Sequence, residues 1–286
     1  MIPAVYSPSR TLSYVSCPML HKLSYTDGWM PRVADNSFYG RLFGAAVAQG
    51  LAVYRRRTAS LGTGSSAPLA AALALFSTEV ATYQRAGVHF DQDTLDALPG
   101  EIEHALDKYP AHDTLVDYEI IDVELDLGPD YGNARVDVLA KDKFGHYLVI
   151  DDKAKRKLEA RWQPKELMSY EADWKMNHYV WAISDKLGVP IDRYYINLIV
   201  VTPRYSVTLA PYPAFQGKTR DWWEASARRL WNRMEQEAAL GPDFTPSMAV
   251  VHKSQYGKCP MWTACLDHGL DKDLMMVDYI QVERAH

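Results

Sequence analysis

Two apolar segments, residues 134–140 and 147–151, joined by a short charged turn, constrain the fold of this chain more than any other feature. Their alternating pattern and β-branched content predict a β-hairpin with a glycine in its turn. Residues two apart on a strand share a face. Asp151 and Lys153 are therefore expected to point the same way, with Asp137 facing them from the neighbouring strand.

Two carboxylates and an ammonium group on one strand face suit metal-dependent hydrolysis of a phosphodiester. Carboxylate oxygens bind hard cations such as Mg²⁺. A nearby lysine can orient a water molecule or offset the negative charge that builds on a phosphate. An Asp-Asp-Lys run after an apolar strand is also a common polar exit into a solvated turn, so the hairpin by itself leaves both interpretations open.

The length and composition are those of a globular protein. The chain has 286 residues, of which 48% are hydrophobic, enough for a full core. No apolar run has the length of a membrane span, and the N-terminus lacks the pattern of a secretory signal, so we expect a cytoplasmic protein with no membrane partner. A net charge of -5 argues against non-specific coating of nucleic acid but permits a local basic groove. The candidate DNA-binding residues of such a groove follow the hairpin and are Lys155, Arg156, Lys157, Arg161 and Lys165.

The order of the remaining patterns predicts an α/β fold with a mixed sheet. Helices are expected over residues 40–57, 69–85, 94–109, 165–187 and 221–239. Strands are expected over residues 118–126, 134–140, 147–151, 194–202 and 204–210.

Three cysteines lie near the two ends of the chain, at Cys17, Cys259 and Cys265. Their odd number argues against a simple disulfide framework, and unrelated buried thiols are the plain alternative. Cys17 and Cys259 each precede a proline, and His252 lies seven residues before Cys259. Three cysteines and a histidine can hold Zn²⁺ or an iron–sulfur cluster, and either would join the two ends of the chain.

In the order of its motifs the chain resembles the RecB-like exonucleases of the PD-(D/E)XK nuclease superfamily. The resemblance is strongest to the iron–sulfur members, which include AddB-type and CRISPR-associated exonucleases and their phage relatives. The motifs that carry it are the Ser-rich lead into Cys17-Pro, the metal-binding aspartate at Asp137, the Asp-x-Lys run at Asp151-Asp152-Lys153, and the closing segment at residues 256–265.

The resemblance implies a restriction-endonuclease-like core, with a mixed central sheet flanked by helices and the termini joined by a metal or iron–sulfur site. It implies one nuclease domain over residues 1–286. The expected parts of that domain are a helical part at residues 1–110, the core at residues 111–215, and a C-terminal helix with the Cys motif at residues 216–286.

The resemblance also implies a Mg²⁺- or Mn²⁺-dependent DNA exonuclease, acting on ends or single strands in recombination, repair or end processing. Any helicase or recombination partner would be a separate chain. Asp137 and Asp151 are expected to bind the metal with the backbone carbonyl of Asp152, while Lys153 positions or helps to deprotonate the attacking water. A [4Fe-4S] cluster, or alternatively Zn²⁺, would be held by Cys17, His252, Cys259 and Cys265.

Three positions depart from the pattern of the family. Its early metal-binding histidine is replaced by Ala48, and one cluster cysteine is replaced by His252. Its Gln-x-x-x-Tyr motif has Lys175 in place of glutamine and retains Tyr179. Spacing by four puts Lys175 and Tyr179 on one helical face, where both are expected to steady the scissile phosphate.

Two other classes of function remain open from the sequence. The first is a catalytically weak module that binds DNA ends or single strands, in keeping with the missing histidine. The second is a metal-stapled interaction protein in which Asp-Asp-Lys is only a turn. Metal-dependent DNA cleavage separates both from a nuclease.

Overall fold

A computed structural model describes residues 7–58, 66–240, 253–254, 257–261, 263–267, 270 and 272–281. Its α-helices are α1 (Pro8–Ser16), α2 (Pro18–His21), α3 (Asn36–Thr58), α4 (Ala67–Arg85), α5 (Gln92–Lys108), α6 (Gln163–Met168), α7 (Trp174–Leu187), α8 (Gly217–Ala239) and α9 (Lys272–Asp278). Its strands are β1 (Trp29–Pro31), β2 (Glu119–Asp126), β3 (Arg135–Lys141), β4 (Tyr147–Lys157), β5 (Arg193–Thr202), β6 (Ser206–Pro213), β7 (Lys253–Ser254), β8 (Gly257–Lys258) and β9 (Tyr279–Gln281).

The central sheet contains five strands in the order β2-β3-β4-β5-β6. Only β4 and β5 are parallel, and the other neighbours are antiparallel. A parallel pair needs a crossover connection, and α6 and α7 supply it between β4 and β5. The predicted hairpin is confirmed as β3 and β4, with Gly145 at a φ of 84° in its turn.

Helices cover both faces of this sheet, each over its own apolar core. On one face Val149, Ile196 and Leu198 pack into a cluster with residues of α7 and α8. On the other face Ile199 and Val201 pack into a cluster with residues of α3, α4 and α5. The predicted α/β fold with a mixed sheet flanked by helices is confirmed by this arrangement.

Two predicted boundaries are wrong, for different reasons. The second hairpin strand was expected to end at residue 151, but β4 pairs with β5 as far as Lys157, so its charged half is strand and not turn. The helix expected over residues 165–187 is divided into α6 and α7. Ala172 lies between them at a φ of 55°, which a helix cannot contain, and the Asp173 side chain then caps the N-terminus of α7.

The two ends of the chain meet in a small second unit, through a strand pairing that the sequence patterns did not predict. Strands β1 and β9 pair antiparallel, with Met30 opposite Ile280. Beside them lies an apolar cluster made of Met19, Leu23, Trp29, Met261, Ala264, Met275 and Tyr279. Among the residues that the structure describes, none of the helices combines the length and the hydropathy needed to cross a bilayer.

Candidate active site

The hairpin brings Asp137 and Asp151 together. Strands β3 and β4 pair as far as Val138 and Ile150, and the next residues in this register are Asp137 and Asp151. The backbone N–H of Asp152 donates a hydrogen bond of 2.9 Å to Oδ2 of Asp137. The Asp137 carboxylate thus accepts a hydrogen bond from a backbone N–H of β4, just beyond the last residues at which β3 and β4 pair.

Two lysines contact the Asp151 carboxylate, which is fully buried. Lys175 Nζ donates a hydrogen bond of 2.9 Å to Asp151 Oδ1. Lys153, two residues further along the strand, places its Nζ against Oδ2 in an ion pair. Within the described part of the chain, Oδ2 accepts no hydrogen bond of normal geometry. Each Asp151 oxygen is therefore matched to one ammonium group.

The neighbours of the two aspartates shift their acidities in opposite directions. Burial and the nearby Asp151 carboxylate raise the pKa of Asp137. Burial would also raise the pKa of Asp151, but the ammonium groups of Lys153 and Lys175 outweigh it and hold that pKa below its usual value. Burial disfavours the charged form of Lys175, yet Asp151 raises the pKa of Lys175 well above its ordinary value. Asp151 and Lys175 therefore form a firmly charged pair.

Helix α7 brings Lys175 and Tyr179 to the same place, as the spacing of four predicts. Lys175 Nζ lies 5.2 Å from the centroid of the Tyr179 ring. Tyr179 is buried, and burial raises the pKa of its hydroxyl. Since this hydroxyl stays protonated at neutral pH, it can donate a hydrogen bond to an anionic oxygen.

Asp152 points to the opposite face of β4, where Arg55 of α3 binds its carboxylate with two nitrogens. Arg55 Nη2 donates to Oδ1 at 2.8 Å, and Nη1 contacts Oδ2. Asn197 on β5 donates a further hydrogen bond of 2.7 Å to Oδ1, and Tyr109 accepts one of 3.0 Å from Arg55. The side chains of Arg55 and Asp152 are only 2% and 3% exposed. Of Asp152, only the backbone is left to serve as a metal ligand.

The sequence patterns did not predict that Arg55 would be the buried partner of Asp152. A signal did exist in Asp152. It follows Asp151 at the end of an apolar run, and neighbouring residues of a strand face opposite ways, so one of the two carboxylates is expected to enter a core and to need a buried cation there.

The five predicted DNA-binding residues do not all face the same way, because β4 continues through the first three of them. Lys155 lies on the Asp151 face and pairs with Glu166 at 2.8 Å, while Lys157 is exposed at the end of the strand. Arg156 points to the other face and binds Glu101 of α5 at 2.8 Å. The structure therefore separates Arg156 from the other predicted residues.

Arg161 and Lys165 flank Trp162, whose side chain is 48% exposed. Arg161 Cζ lies 5.3 Å and Lys165 Nζ 5.7 Å from the Trp162 ring. Arg161 also pairs with Glu159 at 2.7 Å. This exposed aromatic residue with two cations follows directly after the basic half of β4.

The three cysteines pack against the apolar cluster that joins the chain ends. Cys17 caps α2, and its Sγ accepts a hydrogen bond of 3.4 Å from the Leu20 N–H. Burial and the two other thiols raise the pKa of Cys265 to about 11, and burial raises that of Cys259. No group of three or more His, Cys, Asp or Glu suited to hold a metal occurs among the described residues. The predicted ligand His252 lies outside them.

Comparison with known protein families gives a match over most of the chain. A family model described as the PD-(D/E)XK nuclease superfamily matches residues 5–265. A search of the curated proteins finds no match. Among solved structures, one described as "Crystal structure of SSO0001" is 12% identical, with a TM-score of 0.27, and covers 67% of this chain and 73% of its own.

Proposed function

This chain belongs to the PD-(D/E)XK nuclease superfamily, and on that premise we propose that it is a Mg²⁺- or Mn²⁺-dependent deoxyribonuclease acting on DNA ends or single strands. The observation that carries the proposal is the convergence of Asp137, Asp151 and Lys153 on one face of two neighbouring strands. A polar exit into a turn would leave these groups exposed, whereas Asp151 is fully buried and paired with two lysines.

The donor set fits the cation that this superfamily usually uses, which is Mg²⁺ or Mn²⁺. Asp137 and Asp151 offer hard carboxylate oxygens, and Oδ2 of Asp151 is partnered by the partly exposed ammonium group of Lys153, which a cation can displace. These two side chains and the backbone carbonyl of Asp152 would hold the metal. When bound, such a cation lowers the pKa of a coordinated water and screens negative charge on the phosphate.

The side chains of the chain itself would prepare the reaction. Lys153 would leave Asp151 and orient the attacking water, since its Nζ reaches the metal-binding carboxylate from the same strand face. The Tyr179 hydroxyl would donate a hydrogen bond to a non-bridging phosphate oxygen. Lys175 would contact the same phosphate as a fixed positive charge, which stabilises the charge that develops in the transition state.

A path for the DNA strand leads away from this site along the Asp151 face. Lys155 and Lys157 follow Lys153 at every second position of β4, and Arg161 and Lys165 continue the positive charge around Trp162. Cations would contact the phosphates, and the exposed indole would stack on a base. This arrangement supports action on single strands or frayed ends, where the bases are accessible.

We also propose a metal or cluster site at the three cysteines, separate from the active site. The residues Cys17, Cys259 and Cys265, completed by His252, would hold a [4Fe-4S] cluster or alternatively Zn²⁺. Soft thiolate ligands suit either, and the three thiols pack against one apolar cluster. Iron and zinc content and visible absorption of anaerobically purified protein test this proposal, with Cys17→Ser expected to lose the metal.

The wider role that we propose is DNA end processing in recombination or repair, with any helicase motor on another chain. It predicts that purified protein cleaves DNA by itself but does not unwind a long duplex. Addition of a helicase should then extend degradation into duplex DNA.

The test of the proposed function is release of nucleotides from end-labelled linear DNA with Mg²⁺, Mn²⁺ or EDTA. Wild type should release label only with metal, and Lys153→Ala should not. Lys186→Ala is the matched control, because Lys186 lies at the far end of α7, where its Nζ donates a hydrogen bond to the Asp126 carbonyl. A circular single strand of the same length should survive if the enzyme is an exonuclease. DNA binding without any metal-dependent cleavage would contradict the nuclease and favour the binding module.

A further inference from the structure

The proposed active site contains two lysines and two carboxylates that could bind a metal. Asp151 Oδ1 accepts from Lys175, and Oδ2 is in contact with Lys153. Asp137 is the second carboxylate of the site, and it accepts a hydrogen bond from the backbone N–H of Asp152. By formal count, two negative and two positive charges therefore meet at this strand face before any metal or phosphate arrives.

The other carboxylates close to the site are committed elsewhere. Asp152 binds Arg55 on the opposite face of β4. Glu166 pairs with Lys155 at 2.8 Å and accepts a hydrogen bond of 2.7 Å from Tyr170. Asp173 caps α7 by accepting a hydrogen bond of 2.8 Å from the Met176 N–H. Within the described residues, Asp137 and Asp151 are the carboxylates near the site that remain as ligands for a cation.

A pair of divalent cations at this position would be strongly repelled. Two-metal nuclease sites hold their ions about 3.5–4 Å apart, so their four positive charges need several carboxylates. Here two carboxylates would face those four charges and two ammonium groups. One divalent cation with the two lysines leaves a net charge of about +2 by formal count, which suits a phosphodiester that gains negative charge in the transition state.

We propose that the site takes a single divalent cation and that Lys175 supplies the second positive charge at the scissile phosphate. The inference rests on the proposed function and specifies how that site works. Lys175 is suited to this role because it comes from the crossover helix and reaches Asp151 from outside the strand, on the side where Tyr179 also lies.

One consequence is that Lys175 weakens metal binding while it promotes cleavage. It occupies Asp151 Oδ1 and repels an incoming cation, so Lys175→Gln should bind Mn²⁺ about tenfold more tightly than wild type. The same change should lower the cleavage rate at saturating Mn²⁺, since the phosphate loses a cation. Lys175→Arg keeps the charge and should bind Mn²⁺ within about threefold of wild type. A merely structural lysine would not move affinity and rate in opposite directions.

The experiment is a calorimetric titration of the full chain with Mn²⁺ in the absence of DNA, beside the cleavage assay. Wild type, Lys175→Gln, Lys175→Arg and Lys186→Gln are compared, the last being the same change on the same helix away from the site. Asp151→Asn serves as the blank that assigns the binding event to this site, and circular dichroism checks the fold of each variant.

We expect wild type to bind one Mn²⁺ ion at this site, and we expect Asp151→Asn to lose that binding. Lys175→Gln should raise the affinity for the ion, and Lys186→Gln should leave it unchanged. Two Mn²⁺ ions lost in the blank, or an affinity that Lys175→Gln leaves unchanged or weakens, would overturn the inference while metal-dependent cleavage still upheld the proposed function. No Mn²⁺ bound by any variant, with no cleavage, would overturn both.

Discussion

Asp151 and Asp152 are neighbours of the same residue type, yet the structure holds them in opposite ways. Asp151 faces two lysines, one on its own strand and one on α7. Asp152 faces a single arginine that binds both carboxylate oxygens, with Asn197 and Tyr109 completing the contacts. Flexible single-point ammonium groups can give way to a metal or a phosphate, whereas a bidentate buried guanidinium cannot do so cheaply. Strand alternation thus separates an exchangeable site from a fixed support.

The largest expected effect is on the cleavage rate, through a change at Asp151. Asp151→Asn removes a proposed metal ligand and should reduce cleavage of end-labelled DNA about 1,000-fold, because much of the charge stabilisation at the phosphate depends on the cation. Thermal unfolding should change little, since the two lysines can turn to solvent. Cleavage near the wild-type rate would remove Asp151 from the mechanism.

On the opposite face of β4, loss of the Arg55–Asp152 pair should lower the stability of the protein. Arg55→Met leaves Asp152 as an unpaired buried carboxylate, so the free energy of unfolding should fall by about 3–5 kcal/mol in a urea titration. The double variant Arg55→Met with Asp152→Leu replaces both charges and should recover most of that loss. A single variant as stable as wild type would show that this ion pair does not fix the strand.

A pH effect of similar or smaller size is expected on the Asp151 face. Burial lowers the pKa of His178 on α7 to about 4, and its Nε2 donates to the Tyr131 carbonyl at 2.9 Å. The unfolded chain has a pKa near 6.5 for histidine and binds the proton first. Stability is therefore full above about pH 6.5 and falls by roughly 3 kcal/mol as the pH drops to about 4.

His178→Gln should flatten this part of the stability curve, as measured by urea unfolding at successive pH values. The same two proteins at pH 8 are the control, because the histidine is neutral there in both states. An equally steep curve in the variant would assign the acid sensitivity to other groups, among which His21 also has a pKa lowered to about 4 by burial.

The smallest effect compares two adjacent cations of β4. Lys155→Gln on the Asp151 face should weaken binding of single-stranded DNA several-fold and reduce the salt slope by about 0.7. Arg156→Gln on the opposite face loses only its pair with Glu101 and should leave the salt slope unchanged. Equal effects of the two variants in fluorescence anisotropy would contradict the division of the strand into two faces.

Most of the fold could be predicted from periodicity, and the strand segments that were missed share a cause. The hairpin was identifiable because β-branched alternation and a turn glycine are local signals. The charged end of β4 was not, because its extended form depends on pairing with residues of β5 that lie 45 positions later. The same holds for β1 and β9, which are three residues each and pair only across the length of the chain.

The candidate site was predictable where strand alternation or helical spacing decides the direction of a side chain. Asp137, Asp151 and Lys153 follow from strand alternation, and Lys175 with Tyr179 from the spacing of four. The contact between Lys175 and Asp151 was not predictable, because it depends on where the crossover sets α7 against β4. The Arg55 pair is likewise a matter of tertiary packing between α3 and β4.

The most direct test of the account is anomalous diffraction from a crystal grown with Mn²⁺ and a non-cleavable DNA strand. The account predicts a single Mn²⁺ peak at the carboxylates of Asp137 and Asp151, with Lys175 at the phosphate and Asp152 still bound to Arg55. No peak at these carboxylates, or a Mn²⁺ ion bound to the Asp152 side chain, would contradict it.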